Sequence, residues 1–240
     1  MIRVIYEDKD LIVLNKPPGI SVHPGVSVSG ETVVDFLLKK YPELEDVGDD
    51  PGIRPGIVHR LDKDTSGVMV VARNQKSFEE LKELFKNRRV EKTYWAMVCG
   101  RPKESGGVIN LPIGRMKKNP LKRGVAVGKI RGAREALTEY KVLRAGDKFS
   151  LLELKPKTGR MHQLRVHLKA LGHPVACDKI YGGKNVCCPE GANRQLLHAR
   201  SIIFSFPASA KATAGRPEGR KLFFEADPPA DMTVAINKIF

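Results

Sequence analysis

What is missing narrows this chain of 240 residues first. No apolar run approaches the roughly 20 residues that a membrane-spanning helix needs, so no membrane partner is expected. The N-terminus carries Glu7 and Asp8 and no long apolar core, which fits neither a signal nor a transit peptide. Cysteine is sparse: Cys99, Cys177, Cys187 and Cys188 form no C-x-x-C pair and no zinc-ligand spacing. The adjacent Cys187 and Cys188 make a poor disulfide and a poor chelate, so reduced thiols in a cytoplasmic protein are the expectation. Acidic residues are in deficit, 27 against 42 Lys plus Arg, for a net charge of +15. That sign and size favour a polyanionic partner, because each neutralised phosphate releases condensed counterions. A solvated basic surface carries the same total, so the distribution of the charge decides.

The apolar fraction of 41% is enough for a core. Residues 2–6 and 10–14 read as two short strands around an acidic turn, delivering Asn15-Lys16-Pro17-Pro18-Gly19, where two prolines and a glycine fix a rigid loop. Apolar positions 33, 34, 37, 38 and 41 mark a helix closed by Pro42, and residues 42–56 read as an acidic surface loop. Two β-prone runs, 57–61 and 68–72, flank an Asp-Thr-Ser-Gly turn with Asp62 at a strand end. Asn74 caps a predicted helix to about Asn87, and a strand covers 93–98. Segment 115–134 holds eight basic residues and no acid, with four Gly or Pro, and reads as a loop for phosphate contact. Strands follow at 137–143 and 149–154. Thr158 is expected to cap a helix marked by Met161, Leu164, Leu168 and Leu171. A Gly-rich loop at 182–194, a strand at 196–206, a basic stretch at 208–221, a strand at 222–225 and a helix at 231–239 complete the chain. No repeat and no domain boundary stands out.

Taken alone, Asp62 beside Thr65 and Ser66 is an ordinary turn carboxylate. The blocks around it change that reading. Lys16-Pro17-Pro18-Gly19 with Val22-His23-Pro24, His59-Arg60-Leu61-Asp62 with Thr65-Ser66-Gly67, Glu91-Lys92-Thr93-Tyr94, Thr158 to His167, and Asp178 with Tyr181-Gly182 occur in one order. In that order they resemble the RluA-type pseudouridine synthases, and the match covers most of the first 200 residues. Two departures from the family pattern stand out: Met161 replaces a common Thr, and the late turn is reduced to Phe206-Pro207.

The resemblance implies an α+β fold, with a mixed, mainly antiparallel sheet, flanking helices and a basic active-site cleft. It implies a single catalytic domain over 1–240 without a separate N-terminal RNA-binding domain, since only fifteen residues precede Lys16. The expected activity is isomerisation of uridine in structured RNA, ribosomal or transfer, after the base is flipped out of its stack. Asp62 is implied as the essential carboxylate, Arg165 as the cation that keeps it charged, and Tyr94 as the ring that stacks on the uracil and takes the C5 proton. Leu164 packs the base, Arg60 fills the vacated stack or holds a phosphate, and Lys16 and Arg160 contact the RNA backbone. No metal and no other cofactor is expected. The sequence gives no oligomeric state, and a monomer is favoured. Two rivals are a catalytically silent RNA-binding factor and a metal-independent RNA hydrolase using Asp62 as a base; the joint presence of Asp62, Tyr94 and Arg165 speaks against the first.

Overall fold

The computed structural model describes residues 1–25, 28–116, 119–125, 132–184, 186–206 and 219–240. It divides into two compact units: one comprises Met1–Lys92 with Ala199–Asp227, the other Thr93–His198 with Pro228–Phe240. Each is discontinuous in sequence. The architecture is α+β, with mainly antiparallel strands and four α-helices among the described residues.

In the first unit, strands β1 (Arg3–Glu7), β2 (Leu11–Lys16) and β3 (Ser66–Ala72) lie in that order, followed by the part of β10 (Leu197–Phe206) that falls here, with β11 (Arg220–Glu225) paired to β10. Every residue of β3 is buried, as are Leu11 to Leu14 of β2, so these strands read as continuous apolar runs rather than alternating ones. Helix α1 (Val33–Lys40) begins at a capping box in which Thr32 and Asp35 satisfy each other's backbone N–H groups. Helix α2 (Gln75–Lys86) is capped by Asn74, whose side chain accepts from Ser77 N–H, and it buries Phe78, Leu81 and Leu84. The run 57–61 is not the strand expected. Only Ile57 bridges to Val71. The reason is that β3 already has β2 on one edge and β10 on the other, which leaves no ladder for a third partner. Asp62 therefore sits in a turn that enters β3.

The second unit orders its sheet β4 (Glu91–Cys99), β9 (Phe149–Pro156), β8 (Leu137–Ala145) and β5 (Gly106–Asn110). Residues 93–99 of β4 belong to this unit. Side-chain alternation splits the core in two: Ala96, Val98, Leu152 and Leu154 pack with Leu164 and Leu168 of α3 (Gln163–Ala170), while Met97 and Leu151 pack with Met232, Ala235 and Ile236 of α4 (Ala230–Ile239). The segment 115–134, expected as a loop, contributes to a two-stranded hairpin, β6 (Ile113–Met116) and β7 (Asn119–Val125). Its residues 117–118 and 126–131 lie outside the described residues, as do 207–218 of the late turn and C-terminal basic stretch. Thr158 does not cap α3. Its hydroxyl accepts from Leu137 N–H (3.0 Å) and donates to Gln163 Oε1 (2.7 Å), and the cap position is His162 with φ 57°.

The cysteines also depart from expectation. Cys99 pairs with Cys187 and Cys177 with Cys188, at Cα separations of 6.0 and 4.7 Å, inside the range that a disulfide spans. Adjacent cysteines are poor partners for each other, but here each one bonds to a residue elsewhere.

Gly67 opens β3 with φ 118°, and a Cβ there would strike the backbone carbonyl of Ala199 on β10. Substitution must both strain the backbone and push β10 off the ladder. Gly67→Ala is expected to cost about 3 kcal/mol or more in urea unfolding; a loss below about 1 kcal/mol would show that the strands yield freely.

Candidate active site

Asp62 is half-buried, between the buried Leu61 and the buried Thr65. Its carbonyl accepts the Thr65 N–H at 3.1 Å, closing the turn. The next residue is tied to the Lys-Pro-Pro-Gly loop, because Lys63 O accepts both Gly19 N–H (3.0 Å) and the ammonium of Lys16 (2.9 Å). Lys16 Nζ also donates to Pro17 O (3.0 Å) and Ile20 O (2.8 Å). The Lys16 side chain has no exposed surface at all. This corrects its expected place at an RNA phosphate: its three N–H donors are turned inward onto three carbonyls. Lys16 fastens the loop to the turn that carries Asp62.

Two motif neighbours lie around this turn. Arg60 is exposed, with Nη1 3.0 Å from His23 Nε2. His59 stacks on Phe85 with ring centroids 4.7 Å apart, and its Nε2 accepts the N–H of Val70 on β3 at 2.9 Å. Burial, with a smaller contribution from the Lys92 charge, pushes the imidazole down to about pKa 3, so the ring is neutral. His59 thus anchors the strand after Asp62.

In the second unit, Tyr94 on β4 faces Leu154 across the ladder and packs on the same cluster as Leu164, so the structure brings Tyr94 and Leu164 to one face. Arg165, next on α3, is buried and grips Asp178 in a fork: Nε to Oδ2 at 2.7 Å and Nη2 to Oδ1 at 2.9 Å. Its guanidinium also lies 5.0 Å from the centre of the Tyr181 ring. Asp178 Oδ1 takes two further bonds from the backbone N–H groups of Ile180 (2.9 Å) and Tyr181 (3.0 Å). Burial pushes this carboxyl up, but the Arg165 pair and the two amides outweigh it and hold it below the usual carboxylate value. The sequence singled out Asp178 without a partner; the fork to Arg165 is what it supplies.

Tyr181 reaches further. Its hydroxyl accepts the Arg123 N–H of β7 at 3.0 Å and sits 2.8 Å from His162 Nδ1 at the start of α3. The basic hairpin is thereby attached to the helix that carries Arg165. Within it Arg115 and Arg123 are cross-strand partners, and Arg123 Nη1 donates to Lys122 O at 3.2 Å. Arg160 is half-buried, donating Nε–H to Glu135 O at 3.0 Å. His167, which the sequence left without a role, is buried between Thr138 Oγ1 (2.9 Å) and Leu111 O (3.0 Å) and braces α3. No group of three or more His, Cys, Asp or Glu among the described residues is arranged to hold a metal ion, and none of their helices is long and apolar enough to cross a membrane.

Residues 10–170 match the family model described as RNA pseudouridylate synthase. The chain belongs to that family. It is 49% identical over 181 residues to a protein of Borreliella burgdorferi named ribosomal large subunit pseudouridine synthase D, covering 75% of this chain and 55% of that one. It is 42% identical over 212 residues to a Synechocystis protein named uncharacterized RNA pseudouridine synthase, covering 87% of this chain and 62% of that one. The chain thus spans less than two thirds of the length of these curated relatives. Among solved structures, human RNA Pseudouridylate Synthase Domain Containing 4 superposes with a TM-score of 0.73 at 30% identity, over 98% of this chain and 92% of that one.

The neutral His59 has a consequence for stability. An unfolded histidine takes up its proton near 6.5, whereas the folded ring resists until about 3, so this contribution is full above pH 6.5 and is lost as pH falls from there towards 3. Between about pH 7.5 and about pH 5.5 the wild type is expected to lose about 1.4 kcal/mol more than His59→Gln in urea melts. Equal losses would mean that the ring protonates in place.

Proposed function

We propose that this chain isomerises uridine to pseudouridine in RNA, with Asp62 as the essential carboxylate. Family membership supports the reaction class. The observation that carries the residue assignment is the turn itself: Asp62 is held between a closed backbone bond to Thr65 and a next residue clamped by buried Lys16. A reacting group needs that restriction, because a freely rotating carboxylate loses the advantage of position.

The reaction breaks the N1–C1′ bond, turns the uracil and joins C5 to C1′; the C5 hydrogen leaves as a proton and N1 gains one, so the atom count is unchanged. A carboxylate serves either as a nucleophile at C1′ or as a base at C2′ giving a glycal. Arg165 is assigned to keep Asp62 ionised and aimed, and its fork to Asp178 limits its own freedom. Tyr94 offers a π-face for the base and an oxygen for the C5 proton, and Leu164 supplies an apolar wall beside it. Arg60, Arg160, Arg115 and Arg123 are assigned to the RNA backbone. We assign ribosomal or transfer RNA as the substrate class and the cytoplasm as the compartment.

The test is tritium release from total cellular RNA whose uridines are labelled at C5, since pseudouridine formation must expel that hydrogen. Wild type is expected to release tritium, and Asp62→Ala to lower the rate by roughly a thousandfold or more while still binding RNA. Release unaffected by the substitution would remove Asp62 from the chemistry. Binding without release in the wild type would favour a silent RNA-binding factor.

A further inference from the structure

The cysteines carry chemistry that the isomerisation does not use. Cys177 immediately precedes Asp178, the residue that forks Arg165. It is 2% exposed, has φ 60° in the left-handed region that disfavours a side chain, and donates its N–H to Cys187 O at 2.8 Å. Its sulfur is bonded to Cys188, which is exposed. Asp178 is therefore set by a strained residue whose side chain is fastened to a surface loop. Ala176, one residue earlier, is tied to the sheet, donating its N–H to Met97 O at 2.8 Å and accepting Leu196 N–H at 3.1 Å, whereas the backbone of Asp178 itself is held by short-range bonds, its N–H to Val175 O at 3.2 Å and Gly182 N–H to its O at 2.7 Å.

A cleft is lined by Cys99, Cys187 and Cys188 together with Asp147, Lys148, Glu190 and Lys238, and of the three cysteines Cys188 is exposed. Access to the exposed Cys188 suits attack by a thiolate, whereas a disulfide sealed in a core resists it. The second pair, Cys99–Cys187, joins β4 to the same loop.

We propose that the Cys177–Cys188 disulfide is a reversible redox device that fixes Asp178, and through it the guanidinium of Arg165; this rests on the role assigned to Arg165 above. The exchange balances with an external dithiol. A dithiol thiolate attacks Cys188 Sγ, the S–S bond breaks, and Cys177 leaves as a thiolate that takes up a proton. The second thiol of the reductant then attacks the mixed disulfide, releasing Cys188 as a thiol and leaving the reductant as its own disulfide. Two electrons and two protons pass to the protein. The reverse reaction requires an oxidised dithiol or a low-molecular-weight disulfide. In the oxidised state Asp178 is pinned and Arg165 is aimed; in the reduced state Cys177 can relax from the left-handed conformation and the fork loosens. Asp178 is thus a positioning residue and Cys177–Cys188 its clamp.

The full chain would be compared oxidised, after graded dithiothreitol treatment, and after reoxidation with oxidised glutathione, with alkylation and mass spectrometry reporting which sulfurs are bonded so that samples with only Cys177–Cys188 open are read. Amide exchange at Ile180 and Tyr181, whose N–H groups bond to Asp178, is read alongside turnover of C5-labelled RNA. Reduction is expected to speed exchange at both amides about tenfold and to lower kcat about tenfold with KM within twofold, both restored on reoxidation. Cys188→Ser should behave like the reduced protein in every condition. Identical exchange and kcat in the two redox states would overturn the proposal, as would a Cys188 that stays alkylatable after reoxidation. No turnover in either state, with the exchange response intact, would instead reject the assigned reaction and leave the redox clamp standing.

Discussion

One buried ammonium governs the geometry of the proposed reacting group. Lys16 ends β2 with its side chain enclosed, and three carbonyls, from Pro17, Ile20 and Lys63, receive its three N–H donors. Removing an ammonium from water costs several kcal/mol, and the cost is met only when every donor finds an acceptor in good geometry. That requirement fixes the backbone on both sides. The Lys-Pro-Pro-Gly loop must present two carbonyls, and the turn after Asp62 must present the third. Two prolines make the loop rigid, the Gly19 N–H doubles the tie to Lys63, and Gly67 lets β3 start against β10 without a clash. The carboxylate of Asp62 inherits its place from these constraints.

The second unit uses the same device with the signs distributed differently. Arg165 lies buried on α3, and Asp178 receives its fork together with two backbone amides. Around this pair runs a polar lattice: Tyr181 to His162 and to β7, Thr158 to Gln163, and His167 to Thr138 and Leu111. Buried polar groups of this kind stabilise little in net terms, but leaving any one without a partner is costly, so the set specifies a single arrangement. α3 is held by apolar packing of Leu164 and Leu168 on one side and by this lattice at its start.

Elements whose reasons are local were legible in the sequence. α1 and α2 announce themselves by Thr32, Asn74 and three-and-four apolar spacing, and β1, β2, β4, β8 and β9 by short β-prone runs between turns. What failed depended on partners far along the chain. The run 57–61 has strand composition but no edge to join, since β2 and β10 take both sides of β3. The hairpin β6–β7 is hidden by basic residues, Gly and Pro, because a two-stranded arm has little core to advertise. Thr158 looks like a cap, yet its hydroxyl reaches Leu137 and Gln163. The candidate residues were found by motif order, but their surroundings were not: a lysine reads as surface, Arg165 and Asp178 are thirteen positions apart, and Cys99 and Cys187 are separated by 88.

The account rests on the buried ammonium holding the Asp62 turn. Native-state amide exchange at Gly19 and Thr65, the two N–H groups that bond to Lys63 O and Asp62 O, tests this most directly. In Lys16→Met, which keeps the bulk and removes the donors, exchange at both is expected to accelerate about a hundredfold relative to wild type, while Lys82→Met on the surface changes neither. Unchanged protection of both amides in Lys16→Met would contradict the claim that Lys16 sets the turn.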